Sequence, residues 1–222
     1  MAAARSKGAR NRVDDRVSGW DAERTARRAP PERSRGRLPA AVARRILEDM
    51  AINRRPVLKL GVVDVGVEQA ELPNGRTIDL AVIRHPGASA IVALDRDGSI
   101  PLLTQYRHAA GGWLREIPAG CINPGETPRQ CAERELREEA GLIAARWDEL
   151  GTIVTIPSFC DERITLYLAR DLRGAPRELD HDEVIDVDRV MLDEAFRMIG
   201  RGEIIDAKTI VALHHTRELL AR

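Results

Sequence analysis

Glu135, Glu138 and Glu139 crowd into the short stretch Arg134-Glu135-Leu136-Arg137-Glu138-Glu139. At about 100° per residue on a helix they fall on one side. Like charges at that spacing repel and weaken a helix, so the crowding has to serve something. A solvated acidic face, offset by Arg134 and Arg137, is the plain account. The other is that a cation stands in front of the face. Glu126 in the preceding turn, the glycines Gly120 and Gly125, and the Pro118-Ala119-Gly120 carbonyls favour the cation. Glycines let a backbone approach closely, and carboxylates plus a loop carbonyl make an oxygen-rich site. Hard divalent cations take such ligands, Mg²⁺ with a few carboxylates, waters and substrate phosphates.

A positioned helix has to carry this face. Thr127 is a suitable N-cap, Pro128 fits the first helical position, and Gly141 can end the helix in the left-handed region. Ala132, Leu136 and Ala140 form its apolar stripe, with the glutamates to one side. Upstream, the Val-rich stretch 59–72 reads as one strand, Asn74-Gly75 as a hairpin turn, and 77–85 as the returning strand. Residues 87–94 read as a buried strand, 99–108 as its neighbour, and 113–120 as one further extended segment. Downstream, 147–156, 163–170 and 183–191 read as strands, and 192–202 and 206–220 as helices. The last helix shows an apolar face through Ile210, Leu213 and Leu220. Strands, helix, strands, helices point to an α/β or α+β sandwich rather than a doubly wound sheet.

The 222 residues are 43% hydrophobic and 32% charged, which allows one sizeable core under a charged surface. The 35 basic and 35 acidic side chains cancel, so global charge makes no case for nucleic acid or an anionic membrane. No apolar run approaches the ~20 residues that span a bilayer, and no secretory h-region is visible. Cys121, Cys131 and Cys160 form no CxxC pair, which suits a reducing cytosol. The five histidines show no zinc-ligand spacing. Residues 1–50 have the composition of a disordered basic tail, with 38–51 able to make a short amphipathic helix. Residues 51–85 then read as a small β segment, and 86–222 as the main domain that carries the glutamate helix.

Gly120, Glu126, Arg134-Glu135-Leu136, Glu138-Glu139, Gly141 and Leu142 reproduce the pattern that identifies the Nudix family. The resemblance implies an α/β/α sandwich with a mixed sheet, here preceded by a small antiparallel sheet. It implies hydrolysis of a nucleoside diphosphate linked to another group, dependent on Mg²⁺ with Mn²⁺ as the alternative. Under it, Glu135 and Glu139 look like the principal metal ligands, with Glu138 sharing metal or activating water. The carbonyl of Ala119 looks like a backbone ligand. Arg134 orients the glutamates, and Gly120, Glu126 and Gly141 hold the loop–helix geometry. Metals in such a site neutralise the diphosphate and make water a better nucleophile.

The flanks narrow the resemblance. The stretches 102–120, 157–172 and 202–213 look like the ADP-ribose pyrophosphatase branch, and Pro157 stands fifteen residues after Leu142, as in that branch. Glu162 then resembles the loop glutamate taken as general base, with its neighbour Asp161 as alternative. Glu116 is an extra ligand or substrate contact, or else an ion-pair partner of Arg115 or Arg107. Arg107 suits a diphosphate or ribose contact, since a guanidinium matches phosphate geometry. Arg84 could stack on adenine, and Trp113 is the nearest aromatic candidate. The β segment 51–85 is of the kind that exchanges across a homodimer in this branch. The rival expectations are a hydrolase of another nucleotide sugar, such as GDP-mannose or a UDP-sugar, and a non-catalytic ADP-ribose sensor. Intact glutamates count against the sensor.

Overall fold

The computed structural model describes residues 51–179 and 184–222. The expected basic tail and its short helix lie outside the described residues, apart from Ala51. β1 (Ala51–Leu60), β2 (Val63–Glu71) and β3 (Thr77–Arg84) form an antiparallel sheet in that order. The run 59–72 is therefore not one strand. It folds back at Gly61, whose φ of 55° puts it in the left-handed region that glycine enters without penalty. The Val-rich composition continues through that turn and hides it. The second hairpin falls where Asn74-Gly75 placed it, with Gly75 at φ 79° and Asn74 Oδ1 accepting from the Arg76 N–H at 3.1 Å.

β4 (Ala88–Ala93) is buried along its whole length. It lies inside a mixed sheet of order β7-β4-β9-β8, where β7 is Ala119–Cys121, β8 Leu142–Val154 and β9 Arg163–Gly174. β4 runs parallel to β9 and antiparallel to β7. A strand covered on both faces reads as a continuous apolar run, which is how residues 87–94 look. Its alternation divides the core. Ile91 and Ala93 pack with Ala132 and Leu136 of α1 (Pro128–Ala140). Ala90 and Val92 pack in the second cluster, with Ala195 and Met198 of α2 (Leu192–Gly200) and Ala212 and Leu213 of α3 (Ala207–Leu220). Helices thus cover both faces, as an α/β/α sandwich requires. A third sheet joins β10 (Ile185–Met191), β5 (Ser99–Arg107) and β6 (Gly112–Glu116), in the order β10-β5-β6.

Two further boundaries and one helix face differ from the sequence reading. Residues 113–120 are not one extended segment. β6 and β7 belong to different sheets, and the chain crosses between them at Ile117-Pro118. There the Ile117 N–H donates to Thr209 Oγ1 at 3.0 Å and the Pro118 carbonyl accepts from the Ile91 N–H at 2.9 Å. β8 begins at Leu142, directly after the helix, not at Trp147. α3 buries Thr209, Ala212, Leu213 and Thr216, whereas Leu220 is 44% exposed. Leu213 and Ile210 lie in that contact as expected, and small and hydroxyl side chains complete it in place of Leu220.

Candidate functional site

α1 is fixed at both ends. Thr127 Oγ1 accepts from the Gln130 N–H at 3.2 Å, and Gln130 Oε1 accepts from the Thr127 N–H at 2.9 Å. This reciprocal box satisfies two of the donors that a helix start leaves open. Gly141, at φ 64°, donates its N–H to the Arg137 carbonyl and closes the other end. With Ala132 and Leu136 in the core, Glu135 and Glu139, one turn apart, point into the protein. They are 7% and 1% exposed. A solvated acidic face does not describe these two residues. Glu138 is half-buried.

β7 runs past them. Glu139 Oε2 accepts from the Ala119 N–H at 2.8 Å. The Glu135 carboxylate lies against Gly120 so closely that a Cβ there would stand 1.9 Å from its Oε1. Arg134 ties the assembly together. It donates to both oxygens of Glu126 at 2.9 and 3.0 Å, to the Cys121 carbonyl at 2.9 Å, to Glu135 at 2.5 Å and to Glu138 at 3.0 Å. The Glu126 hydrogen bonds raise the Arg134 pKa most, against burial, and the Glu135 and Glu138 carboxylates add to the rise. Glu126 is correspondingly held below the usual carboxylate range by Arg134, and its Oε2 also accepts from the Asn123 N–H at 2.9 Å.

A second charged group borders β7. Glu116, 2% exposed, accepts from Arg107 Nε and Nη2, each at 2.9 Å, and is also bridged by Lys208. Arg115, the other candidate partner, pairs with Asp188 instead at 3.5 Å. Burial alone would raise the Glu116 pKa, but Arg107 and Lys208 outweigh it and hold the carboxyl below its ordinary value. Lys208 also meets Asp206, the N-cap of α3, at 3.1 Å.

Glu162, in the loop before β9, accepts from Thr155 Oγ1 at 2.6 Å and stands 3.6 Å from His85 Nδ1. The other ring nitrogen of His85 is 3.6 Å from Cys121 Sγ. Burial, then the Glu162 and Glu135 charges, push the Cys121 thiol pKa up. Asp161 is bound to Arg84 at 3.0 Å and to the His85 N–H at 2.8 Å. Arg84 is further held by both oxygens of Glu68. Trp113, 54% exposed, packs edge-on against Tyr106.

Sequence reasoning did not single out Lys208, His85, Thr155 or Glu68. Lys208 and Glu116 are 92 positions apart, and no spacing rule links them. Their only signal lay in the flanking stretches that carried the family resemblance. Among the described residues no group of three or more Asp, Glu, His or Cys forms a ready-made metal cage. The donor set still fits a hard cation. It consists of carboxylates turned inward beside a tight backbone, and such a cation supplements few protein ligands with water and phosphate oxygens.

A NUDIX domain model matches residues 83–213. The chain belongs to the Nudix family. A Bacillus subtilis ADP-ribose pyrophosphatase is 36% identical over 76% of this chain and 92% of its own. A Bacillus methanolicus methanol dehydrogenase activator is 37% identical over 77% of this chain and 94% of its own. A Mycobacterium tuberculosis ADP-ribose pyrophosphatase is 42% identical over 66% of this chain and 72% of its own. The solved structure of an ADP compounds hydrolase superposes with a TM-score of 0.67 at 24% identity, covering 77% of this chain and 93% of that one, and supports the fold. As a Nudix hydrolase the chain carries the intact glutamate helix. No helix among its described residues is long and apolar enough to cross a membrane.

Proposed function

We propose that this Nudix hydrolase cleaves the diphosphate of ADP-ribose, giving AMP and ribose 5-phosphate. One observation carries the chemistry: Glu135 and Glu139 are buried yet turned onto the β7 backbone, one against Gly120 and the other on the Ala119 N–H. The substrate class is supported by the ADP-ribose pyrophosphatases among the relatives, those of Bacillus subtilis and Mycobacterium tuberculosis included.

Glu135, Glu139 and the Ala119 carbonyl would hold Mg²⁺, or Mn²⁺ in its place, with Glu138 at the margin. When bound, the metal supplies charge neutralisation at the diphosphate and a more acidic water. Arg134 keeps three glutamates in place by ion pairing, and Gly120 leaves room for the Glu135 carboxylate. Glu116 sits beside the metal loop, where Arg107 and Lys208 balance its charge. Its bidentate pair with Arg107 uses Nε and Nη2, and the Arg107 side chain is 39% exposed, which leaves Nη1 for a phosphate or ribose oxygen. Water attacks one phosphorus, the bond from that phosphorus to the bridging oxygen breaks, and the second phosphate leaves with that oxygen. Glu162 takes the water proton, and Glu138 is the alternative acceptor. Asp161 is already committed to Arg84.

Val57, Leu58, Leu60, Val62 and Val63 expose apolar surface around the β1–β2 turn, which suits the 51–85 sheet to a homodimer contact. The three free cysteines suit a reducing cytosol.

The deciding experiment offers ADP-ribose, GDP-mannose, UDP-glucose, NADH and a nucleoside triphosphate to the enzyme with Mg²⁺, beside Glu139→Gln. AMP released from ADP-ribose in preference to the others, and lost in the variant, supports the proposal. Preference for another nucleotide sugar moves the activity to that rival. Binding of ADP-ribose without cleavage makes the chain a sensor.

A further inference from the structure

The loop that carries Glu162 is fastened to the first sheet by a continuous set of polar contacts. Glu68, on β2, is 5% exposed. It accepts from Arg84 Nε at 2.8 Å and Nη2 at 2.5 Å, which fixes the guanidinium plane. The remaining donor nitrogen of that plane, Nη1, reaches Asp161 Oδ2 at 3.0 Å. The second oxygen of Asp161 accepts from the His85 N–H at 2.8 Å. Backbone bonds reinforce the seam: Ile83 N–H to the Phe159 carbonyl at 2.7 Å and Asp161 N–H to the Ile83 carbonyl at 3.2 Å. Glu162 is the next residue in the chain, and its carboxylate is 3.6 Å from His85 Nδ1.

We propose that Arg84 is a positioning residue: clamped by buried Glu68, it latches the Glu162 loop to the end of β3 through Asp161. This rests on Glu162 being the proton acceptor of the proposed reaction. All three nitrogens of the Arg84 guanidinium are spent on carboxylates, so the side chain is a strut between two elements. Arg54 braces the far end. It donates to Glu68 at 3.1 Å and to Asp64 at 2.5 Å, so Glu68 is balanced by two guanidinium groups. A bidentate arginine fixes direction as well as charge. Lysine, a point charge with rotatable donors, cannot span both carboxylates in one plane.

The test compares wild type with Arg84→Met, Arg84→Lys, Asp161→Asn, Glu162→Gln and the double variant Arg84→Met/Glu162→Gln. Steady-state kinetics are run on ADP-ribose, and amide hydrogen exchange is followed over residues 157–163. The latch predicts faster exchange across that loop in Arg84→Met and Asp161→Asn. It predicts kcat lowered by on the order of 10²-fold, because small misplacements of a reacting group cost about that much, with KM nearly unchanged. Arg84→Lys recovers only part of the loss, and the double variant is no slower than Glu162→Gln alone. A KM rise with kcat intact would make Arg84 a substrate contact and overturn the latch. Unchanged loop exchange in a folded Arg84→Met or Asp161→Asn protein would overturn it as well. Full activity in Glu162→Gln would instead sink the assignment of the base, while faster loop exchange in Arg84→Met would still establish the latch.

Discussion

The carboxylate of Glu135 occupies the space that a side chain on Gly120 would fill: a Cβ at Gly120 would come within 1.9 Å of Oε1 and 2.2 Å of Cδ. The backbone of Gly120 is not in the left-handed region, so the requirement is for space rather than conformation. Gly120→Ala should therefore push the carboxylate aside without straining β7. The expected outcome is a fall in kcat on the order of 10²-fold with a melting temperature lowered by no more than ~4 °C. Activity and thermal denaturation measured on one preparation check it. A large loss of stability with activity per folded molecule intact would contradict the account.

Arg134→Lys keeps the charge and removes the geometry. The arginine holds Glu126 bidentately, reaches the Cys121 carbonyl, and touches Glu135 and Glu138 with its remaining nitrogen. One ammonium cannot serve all of these. Loss of an orienting partner around a metal site typically costs ~10–100-fold in metal affinity or activity. Titrating Mg²⁺ against activity should show the half-saturating concentration of Arg134→Lys raised by that order. An unchanged Mg²⁺ curve would restrict Arg134 to holding the loop.

The helix and its carboxylates were legible because their signals are local. Thr127, Pro128 and Gly141 mark ends, the apolar stripe marks a face, and the resulting register turns Glu135 and Glu139 inward. β4 was legible because a strand covered on both faces is simply apolar. The turn at Gly61 was not, since valines stand on both sides of it and a lone glycine is weak punctuation. The break at Ile117-Pro118 was hidden because it depends on Thr209, a residue far along the chain. The same holds for Lys208 on Glu116 and Arg84 on Asp161. Each ion pair joins elements that meet only after the sheets assemble, so one-dimensional spacing cannot express it. Sequence types did suggest Arg107 and Arg84 as substrate contacts. The structure adds that both guanidinium groups are already paired, with Glu116 in one case and with Glu68 and Asp161 in the other.

Leu60 is 74% exposed at the end of β1, and Leu58, Val62 and Val63 are exposed around it. Clustered apolar surface of this sort marks a contact when it is covered by a partner. If the first sheet forms a homodimer, Leu60→Glu should shift the enzyme from dimer to monomer in sedimentation velocity. A variant that sediments like wild type would remove this patch from the interface.

Glu116 ties stability to pH. Its carboxyl sits below its ordinary value of 4.5 because Arg107 and Lys208 outweigh the cost of burial. A folded-state value below the unfolded one means that ionised Glu116 stabilises the fold. That contribution is complete above the unfolded value and is lost as pH falls through the folded one. Glu116→Gln removes the anion and leaves two cations facing each other, a loss of about 3 kcal/mol for breaking a buried pair. The gap in unfolding free energy between wild type and variant should thus be widest at neutral pH and shrink below pH 4.5. Urea denaturation with EDTA present, at pH 7 and again near pH ~3, measures it without metal. A gap of equal size at both would mean that Glu116 acts by packing rather than charge. Lys208→Met should lower stability in the same pH window, since it removes one of the two cations that depress the Glu116 value.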